Sequence, residues 1–443
     1  MDYKDVIAHP ENYDFHIESF GRNRIRSPFH GRRFIEDNER VSFAVKLHEL
    51  EPLFSSGKQI PAFERAGPRA MIYHDPRKTR AAVVTCGGLC PGLNDVIKNI
   101  VNVLSIGYGV RTILGLRYGY RGLSMKSGFP PLELNPDNVD TIHESGGTIL
   151  GSSRGNQDVA EMVDFLEKKK LNLLFTIGGD GTLRGAAAIV QEIKKRKLKI
   201  SVIGVPKTID NDLSFMEKTF GFETAVYASA DIITSAHNEA KGAYHGIGLV
   251  KLMGRDSGFI ASHASIANSV VNFCIIPEEP LVLEGKNGLL RAIEKRFEQG
   301  KDHTVIVAAE GAGQNLFDTK TVRYDKSRNV IKNDIGLLLK HEIQKYFAKR
   351  QKEVNIKYFD PSYYIRSVPA QGTDAIFCHL LAEHAVHAAM AGRTNMVTGY
   401  WSHTYTHVPI PLATMARRQV NLNGDLWNAV LGLTQQKRYF SET

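Results

Sequence analysis

The chain has 443 residues, of which 42% are hydrophobic and 23% are charged, as is ordinary for a globular protein of two or three domains. Its formal net charge of +9 is consistent with binding either to a nucleic acid or to phosphorylated substrates. Its four cysteines are too few for a disulfide framework and fit a reducing cytoplasm. Because no run of about 18 apolar residues occurs and the N-terminus is polar, we expect neither a membrane span nor a secretory signal.

The first 80 residues are polar and show no regular hydrophobic period, so we predict an N-terminal extension that docks onto the rest of the chain. From residue 81 onward, short β-branched runs alternate with helical segments, a pattern typical of a parallel sheet covered by helices on both faces. The predicted strands of this first set are residues 81–85, 110–116, 171–177 and 200–206, and a helix is predicted over 93–106.

A second α/β set is predicted from residue 223 to residue 366, with strands at 245–253, 270–277 and 303–310. Gly221 is the predicted hinge between the two sets. The fold class is therefore α/β. We expect the active site in the cleft between the two sets, since ligands of such sheets bind beyond the carboxyl ends of the strands.

Two glycine-rich turns follow predicted strands of the first set. In TCGGLCPGLND (residues 85–95), glycines let the backbone approach a ligand, and the next helix offers free N–H groups to a phosphate; a plain tight turn is the alternative. In TIGGDGT (residues 176–182), Asp180 lies beside such a turn. A carboxylate at this place is suited to bind a Mg²⁺ ion that also contacts phosphate oxygens. The alternative is an aspartate that caps the helix beginning near Thr182.

Two further acids follow the fourth strand, in VPKTIDNDL (residues 205–213). If this segment is a strand end, Asp210 and Asp212 lie on one face, where one carboxylate accepts a proton from a sugar hydroxyl and the other holds metal-bound water. An Asx-type turn around Asn211 is the alternative.

Arginines and a glutamate end other predicted strands. In KLMGRDSG (residues 251–258), Gly254 permits a close turn and Arg255 offers a planar donor fork to an oxyanion, the alternative being a surface arginine. In GTILGSSRG (residues 147–155), a predicted strand ends before Arg154, which neutralises charge on a transferring phosphoryl group. Glu310 in AAEGAGQ suits sugar hydroxyls, and a set fit for a sugar phosphate follows it: Lys357, Tyr363 and Arg366.

Together these motifs resemble the 6-phosphofructokinases in order and approximate spacing, over about residues 85–411. The motifs that carry the resemblance are TCGGLCPGLND, GGTILGSSRG, GGDGT, PKTIDND, MGRDSGF and DPSYYIR. The chain looks like the ATP-dependent branch found in plants, trypanosomatids and some bacteria, which otherwise resembles the pyrophosphate-dependent enzymes.

The resemblance implies the phosphofructokinase fold, with two Rossmann-like three-layer α/β domains and an N-terminal extension over residues 1–80. The nucleotide-binding domain would comprise residues 81–221 and 365–415, and the sugar-phosphate-binding domain residues 222–364 and 416–443. The implied reaction moves the γ-phosphoryl group of MgATP onto the 1-hydroxyl of fructose 6-phosphate, the committed step of glycolysis. Mg²⁺ is the implied cofactor. The implied enzyme is an allosteric, cytoplasmic homo-oligomer, either a dimer or a tetramer, with no nucleic-acid or membrane partner.

The resemblance also implies roles for particular residues of this chain. Asp210 is the general base, Thr208 and Arg255 are the other catalytic residues, and Asp180 holds Mg²⁺. The residues implied to bind ATP are Gly87, Arg154, Gly155, Gly179, Asp180, Gly181 and Thr182. The residues implied to bind the sugar phosphate are Thr208, Ile209, Asp210, Met253, Gly254, Arg255, Glu310, Lys357, Tyr363, Tyr364, Ile365 and Arg366.

Two positions bear on the phosphoryl donor. Pyrophosphate-using relatives commonly carry an aspartate at the position of Gly181, which fills the space that the α-phosphate of ATP needs. Lys207 is usual in those same relatives, whereas many ATP-using enzymes have glycine there. We give more weight to Gly181, because a steric and charge exclusion is harder to evade than one added cation, and a pyrophosphate-dependent enzyme is the alternative.

The chain departs from the common bacterial enzymes at three positions. Those enzymes have an arginine nine residues before the MGR arginine, supplied to the 6-phosphate by a neighbouring subunit, where this chain has Gly246. They have arginine at the position of Lys357 and histidine at that of Tyr363. These departures put in doubt a site shared across the subunit boundary.

Two alternatives come from other functional classes. A nucleic-acid-binding protein would fit the charge, but we find no aromatic RNA-binding signature and no basic recognition helix. A regulatory relative without activity usually loses the acids of GGDGT or PKTIDND, and this chain retains them.

Overall fold

A computed structural model of the chain describes residues 3–31, 33–155, 157–317 and 332–437. The chain divides into two compact units. Unit 1 comprises residues 1–208, 213–221 and 367–417, and unit 2 comprises residues 209–212, 222–366 and 418–443. The two chain crossings that bound most of unit 2 thus fall after Gly221 and after Arg366.

The strands of the described residues are, in chain order, β1 (Glu18–Ser19), β2 (Ile25–Arg26), β3 (Arg40–Ser42), β4 (Ala62–Arg65), β5 (Met71–Ile72), β6 (Arg80–Thr85), β7 (Thr112–Leu116), β8 (Leu132–Glu133), β9 (Leu173–Gly178), β10 (Ser201–Pro206), β11 (Gly246–Leu252), β12 (Phe273–Ile275), β13 (His303–Ala309), β14 (Asn355–Phe359), β15 (Arg393–Thr394), β16 (Met396–Trp401) and β17 (Thr404–Pro409).

The α-helices of the same residues are α1 (Tyr3–Ala8), α2 (Leu47–Ser56), α3 (Leu93–Asn102), α4 (Val159–Lys168), α5 (Asp180–Lys195), α6 (Phe222–Lys241), α7 (Phe259–Asn268), α8 (Leu289–Glu298), α9 (Ile335–Lys349), α10 (Gly372–Met390), α11 (Ile410–Ala413) and α12 (Asp425–Thr434).

Unit 1 is built on a nine-stranded sheet of order β3-β4-β17-β16-β10-β9-β6-β7-β8. The five strands from β16 to β7 are parallel, and the strands outside them pair antiparallel. All residues of β9 and β10 are buried, as expected of parallel strands with helices on both faces. Helices α4 and α5 pack against one face of this sheet through side chains that include Leu166 and Ile189. Helices α3 and α10 pack against each other, and α10 also packs against β10.

Unit 2 is built on a four-stranded parallel sheet of order β12-β13-β11-β14. Helices α8 and α9 cover one face, where Ile293 and Leu339 pack with Leu249 and Ile306 of the central strands. Helix α6 packs against β11, β13 and β14. Both units are therefore layered helix-and-sheet structures, and the predicted α/β class is confirmed.

Residues 1–80 lie within unit 1 and are not a separate region. Strand β4 pairs with β17, β3 extends the sheet at its edge, and β1 pairs with β15. Aromatic side chains fasten this segment to the sheet: Phe43 stacks on Trp401 with ring centroids 5.0 Å apart, and Phe63 is fully buried. Because polar residues separate these anchors, the hydrophobic periodicity of the sequence does not indicate the strands.

Three predicted local elements are wrong in detail. No strand precedes Arg154 over residues 147–150, because hydrogen bonds from neighbouring segments hold an irregular turn there: Thr85 Oγ1 donates to the carbonyl of Gly151, and the Asn94 side chain accepts from the N–H of Ile149. The predicted helix over 93–106 ends at Asn102 and continues as one π-helical turn over Val103–Gly107. The predicted strand at 270–277 is limited to β12.

The segment at 209–212 is a turn and not a strand end. Asn211 has a left-handed backbone with φ of 54°, so the two aspartates do not alternate along one face. No helix among the described residues is both long enough and apolar enough to cross a membrane.

Candidate active site

In unit 1, the turn after β6 is joined to the segment that precedes Arg154. Gly87 has φ of +88°, a conformation that favours glycine, and its N–H donates to the carbonyl of Ser153 over 3.1 Å. The hydroxyl of Ser152 donates to the carbonyl of Gly87 over 2.6 Å. Two motifs that lie more than 60 residues apart in the chain therefore form one surface, on which Arg154 is exposed.

The turn between β9 and α5 is shaped by small residues. A Cβ on Gly178 would lie 2.2 Å from Oγ1 of Thr182, so no larger residue fits there. Gly179 is the N-cap of α5 and has no side chain to occupy the space before the first helical N–H groups. Around Gly181, no described atom lies within 4 Å of the position of a Cβ. The N–H groups of Thr182 and Leu183 both donate to the carbonyl of Gly179 over 3.0 Å, and the turn thus forms a regular helix N-terminus, a type of site that commonly binds phosphates.

Asp180 is the first residue of α5, and two arginines hold its carboxylate. Nε of Arg184 lies 3.0 Å from Oδ1, and a guanidinium nitrogen of Arg417 lies 3.8 Å from Oδ2. Arg184 also donates to the carbonyl of Thr414 over 2.7 Å. The sequence analysis missed both arginines, although the spacing of four residues between Asp180 and Arg184 on a helix is a signal that would have found one of them.

The described residues contain no group of three or more His, Cys, Asp or Glu side chains that would hold a metal ion on their own. A single carboxylate is nonetheless what Mg²⁺ requires, since this ion keeps several waters and takes the remaining ligands from substrate phosphates. Asp180 at a phosphate-binding turn therefore fits such an ion.

Lys207 is buried and lies against the first turn. Its Nζ donates to the carbonyl of Gly88 over 2.8 Å and lies 3.5 Å from the position of a Cβ on Gly87. Its N–H donates to the carbonyl of Gly178 over 3.0 Å. The next carbonyl, of Thr208, accepts from the hydroxyl of Thr219 over 2.6 Å. The carboxyl ends of β6, β9 and β10 are thus tied to one another within unit 1.

In unit 2, the turn at 209–212 is held by residues distant in sequence. The buried Ser257 hydroxyl donates to the carbonyl of Asp210 over 3.0 Å, and the N–H of Arg418 donates to the carbonyl of Asp212 over 2.8 Å. Ile209 and Asp212 are buried, whereas Asp210 is partly exposed. The backbone of Asp210 is therefore bonded to the segment that carries Arg255.

The residues after β11 and β13 lie side by side. The N–H of Glu310 donates to the carbonyl of Leu252 over 2.8 Å, and that of Gly311 donates to the carbonyl of Gly254 over 3.0 Å. A Cβ on Gly311 would lie 1.9 Å from the carbonyl oxygen of Arg255, which only glycine avoids. Burial raises the pKa of the Glu310 carboxyl, although the nearby Arg255 guanidinium acts in the opposite direction. Glu310 and Arg255 thus face a common space.

The loop of residues 360–366 follows β14. The guanidinium of Arg366 lies over the ring of Tyr363, 4.6 Å from its centroid, and both Tyr363 and Tyr364 are exposed. Ile365 is fully buried and anchors the loop. Lys357 lies on β14 itself, opposite Gly248 of β11.

The two units divide the predicted site residues between them. Unit 1 contains all the residues implied to bind ATP, together with Lys207 and Thr208. Unit 2 contains the remaining residues implied to bind the sugar phosphate, from Ile209 and Asp210 to Arg366. Residues 209–212 belong to unit 2, although they lie within the predicted segment 81–221.

The chain is similar to known proteins over most of its length. The phosphofructokinase family model matches residues 80–389. The ATP-dependent 6-phosphofructokinase of Borreliella burgdorferi is 47% identical over 438 residues, which are 96% of this chain and 97% of that protein. The corresponding protein of Trypanosoma cruzi is 42% identical over 93% of this chain and 88% of its own length.

Solved structures resemble the chain in fold. A pyrophosphate-dependent phosphofructokinase from Nitrosospira multiformis matches with a TM-score of 0.67 and 16% identity, over 81% of this chain and 92% of that chain. The phosphofructokinase of Saccharomyces cerevisiae matches with a TM-score of 0.61 and 19% identity, over 80% of this chain and 47% of that chain. At these identities the likeness concerns the fold alone.

Proposed function

The chain belongs to the phosphofructokinase family, and we infer that it acts as an ATP-dependent 6-phosphofructokinase. It phosphorylates fructose 6-phosphate at the 1-hydroxyl, with MgATP as donor, and yields fructose 1,6-bisphosphate and ADP in glycolysis. The observation that carries this conclusion is the 47% identity to an ATP-dependent 6-phosphofructokinase over nearly the full length of both chains.

The geometry of unit 1 supports a nucleotide triphosphate as its ligand. The turn at Gly87 brings the Arg154 segment against the end of β6, so that Arg154 would add a cation there, and the N-terminus of α5 at Gly179 is the kind of helix end that binds phosphates. Asp180 would hold Mg²⁺, which neutralises charge on the phosphates when it is bound. Arg184 and Arg417 would orient the Asp180 carboxylate for that contact.

The geometry of unit 2 supports a sugar phosphate as acceptor. Glu310 would accept hydrogen bonds from sugar hydroxyls beside Arg255, and Met253 and Gly254 shape the same turn. Lys357, Tyr363 and Arg366 supply two cations and a hydroxyl for the 6-phosphate, with Tyr364 and Ile365 forming the loop between them. Two cations are what a phosphate dianion requires.

Asp210 would accept the proton of the 1-hydroxyl as that oxygen attacks the γ-phosphorus, and Thr208 is the other catalytic residue that the resemblance implies. A carboxylate is a weak base toward an alcohol, so the proton moves late and the base contributes about 10²–10⁴-fold. Most of the rate then comes from positioning and from Arg255 and Arg154, which stabilise negative charge on the transferring group.

Pyrophosphate is the alternative donor. A lysine at position 207 is usual in pyrophosphate-using relatives and so favours pyrophosphate as donor. In this structure, however, the Nζ of Lys207 donates a hydrogen bond to the carbonyl of Gly88 in the first turn. Gly181 favours ATP, because the space beside it is open among the described atoms. A side-by-side assay with fructose 6-phosphate and either MgATP or magnesium pyrophosphate tests the proposal. We expect turnover with MgATP; turnover with pyrophosphate alone would overturn it.

The enzyme is further proposed to be a cytoplasmic homo-oligomer, a dimer or tetramer, without nucleic-acid or membrane partners. An arginine at position 246 is sterically excluded, since a Cβ on Gly246 would lie 1.9 Å from the carbonyl oxygen of Ala240. The 6-phosphate contact that common bacterial enzymes take from a neighbouring subunit at this position therefore has no counterpart here. Light scattering of the purified protein gives the oligomer size, and a monomer would contradict this part of the proposal.

A further inference from the structure

Lys251 is a buried cation near the end of β11, and the catalytic scheme above leaves it without a role. Its side chain is 11% exposed, and its Nζ lies 2.8 Å from Oδ2 of Asp334 and 2.8 Å from Oδ2 of Asp360. Burial alone would lower the pKa of Lys251, but hydrogen bonds to these two carboxylates outweigh it and raise the pKa. Lys251 is therefore a permanent charge between two acids.

Each acid organises a different segment of unit 2. Oδ1 of Asp360 accepts hydrogen bonds from the N–H and the hydroxyl of Ser362, over 3.3 and 2.5 Å, which shapes the start of the loop 360–366. Oδ1 of Asp334 accepts from the N–H of Leu337 over 3.1 Å and so caps α9. Lys251 thus joins a strand end, a helix N-terminus and a loop.

The same lysine stands close to the proposed sugar site. It lies four residues before Arg255 in the chain, and its charge acts on the Glu310 carboxyl together with those of Arg255, Asp360 and Arg366. The loop that Asp360 begins carries Tyr363 and Arg366, the residues assigned to the 6-phosphate. The position of that loop relative to Arg255 and Glu310 therefore depends on the contact between Lys251 and Asp360.

We propose that Lys251 is a positioning residue for sugar-phosphate binding, which acts through Asp360 to place the loop 360–366 beside Arg255 and Glu310. The proposal rests on the proposed function of unit 2 as the fructose 6-phosphate site. The role proposed for Lys251 is therefore indirect, through the two carboxylates that its Nζ contacts.

The test compares Lys251→Met, Asp360→Asn and Lys251→Arg with the full-length wild type, and Lys301→Met serves as a matched control because that lysine of unit 2 is exposed. We expect Lys251→Met and Asp360→Asn to raise the KM for fructose 6-phosphate about 10- to 100-fold, as when a charge-assisted contact to phosphate is misplaced. The KM for ATP should stay within about twofold and kcat should fall less than the sugar affinity, because the change concerns binding of one substrate.

Lys251→Arg keeps the charge and should retain most of the sugar affinity. A purely stabilising ion pair would instead predict that Lys251→Met and Asp360→Asn lower the unfolding temperature and leave the sugar affinity unchanged. Direct titration of each variant with fructose 6-phosphate, and thermal unfolding, separate lost binding from lost folding. Should Lys251→Met not fold, Asp360→Asn decides, because the Asp360 side chain is 39% exposed and its loss leaves no buried cavity.

Two outcomes would overturn the proposal. If the wild type binds fructose 6-phosphate and both variants bind it equally well, Lys251 only stabilises unit 2 and this inference fails alone. If the wild type itself neither binds nor phosphorylates fructose 6-phosphate, the proposed function fails, and the inference fails with it.

Discussion

The hydroxyl of Ser257 donates a hydrogen bond to the carbonyl oxygen of Asp210 over 3.0 Å. Ser257 is fully buried, so this bond is shielded from competing water. It joins the proposed base to the turn that carries Arg255, although the two residues lie in motifs more than 40 positions apart. The proposed base and the cation proposed to stabilise the transferring group therefore lie in hydrogen-bonded segments of unit 2.

Replacement of Asp210 by asparagine tests the proposed base. The amide keeps the size of the side chain and leaves the bond from Ser257 to the backbone intact, so folding should be unaffected. We expect kcat to fall by about 10²–10⁴-fold, with a smaller change in the KM for fructose 6-phosphate, because proton acceptance matters only in the transition state. Steady-state kinetics give both values.

Asp302→Asn is the matched control for Asp210→Asn, since Asp302 is an exposed acid of unit 2 that pairs only with its neighbour His303 among the described residues. It should have wild-type kinetics. A near-normal kcat for Asp210→Asn would remove Asp210 from the role of base.

Gly181→Asp tests the choice of phosphoryl donor. No described atom lies within 4 Å of the new Cβ, and a carboxylate in the first turn of α5 interacts favourably with the helix dipole, so the variant should fold. We expect kcat/KM for ATP to fall by about 100-fold or more, because the added carboxylate would lie near the proposed phosphate site and would repel the phosphates of ATP. Titration with MgATP should show weaker binding.

Gly372→Asp is the control for Gly181→Asp, because it adds a carboxylate to the first turn of α10, again with no described atom within 4 Å. Its ATP kinetics should match those of the wild type. If Gly181→Asp used ATP as well as the wild type, an aspartate at this position would not exclude ATP, and residue 181 would not determine the choice of phosphoryl donor.

The strands that could be predicted from sequence are those with continuous buried runs. β9, β10 and β13 consist almost entirely of buried apolar residues, and each lies within a few residues of its predicted bounds. Strands β3 and β4 were missed because they are short and contain no buried apolar run: β3 has no buried residue, and Phe63 is the only apolar residue of β4 that is buried. The pairing of β4 with β17 and of β3 with β4 is a tertiary contact. A single sequence carries no signal for such pairing.

The site was predicted to the extent that its residues lie in compact motifs. Arg255 and Glu310 were named for their types and positions, and the structure places them together. The contacts of Lys251 could not be predicted in the same way, since Asp334 is 83 residues away and Asp360 is 109 away along the chain. The structure of the turn at 209–212 depends likewise on Ser257 and Arg418, which no local pattern indicates.

Gly311→Ala tests whether the backbone at Arg255 must stay in place. The new methyl group would lie 1.9 Å from the carbonyl oxygen of Arg255, so one of the two segments has to move. We expect kcat/KM for fructose 6-phosphate to fall by about 10- to 100-fold, although residue 311 has no side chain to contact the substrate, because displacement of about 1 Å is costly in catalysis. The KM for ATP serves as the internal reference.

Gly432→Ala on α12 is the control for Gly311→Ala. It has no described atom within 4 Å of the new Cβ, and alanine is the better helix former, so activity should be normal and stability slightly raised. Wild-type sugar kinetics in Gly311→Ala would mean that the Arg255 backbone tolerates displacement.

Acid stability should depend on His384, which lies on α10 against the ring of Tyr405. Burial lowers the pKa of His384 to about 3, and the neighbouring His387, His407 and Arg69 act in the same direction, whereas Glu383 opposes them. An unfolded histidine has a pKa near 6.5. Below pH 6.5, His384 therefore binds a proton in the unfolded chain but not in the folded chain. Its contribution to the free energy of unfolding is fully present above pH 6.5 and is lost progressively as the pH falls.

Between pH 7.5 and pH 5, this one residue should cost about 2 kcal/mol of unfolding free energy. His384→Leu has no proton to take up, so its stability should fall by about that much less than the wild type over the same interval, as measured by chemical unfolding at the two pH values. The exposed His341, changed to glutamine, should leave the pH dependence as it is. Equal losses in His384→Leu and in the wild type would show that His384 accepts its proton inside the folded protein, and that other buried groups cause any acid destabilisation.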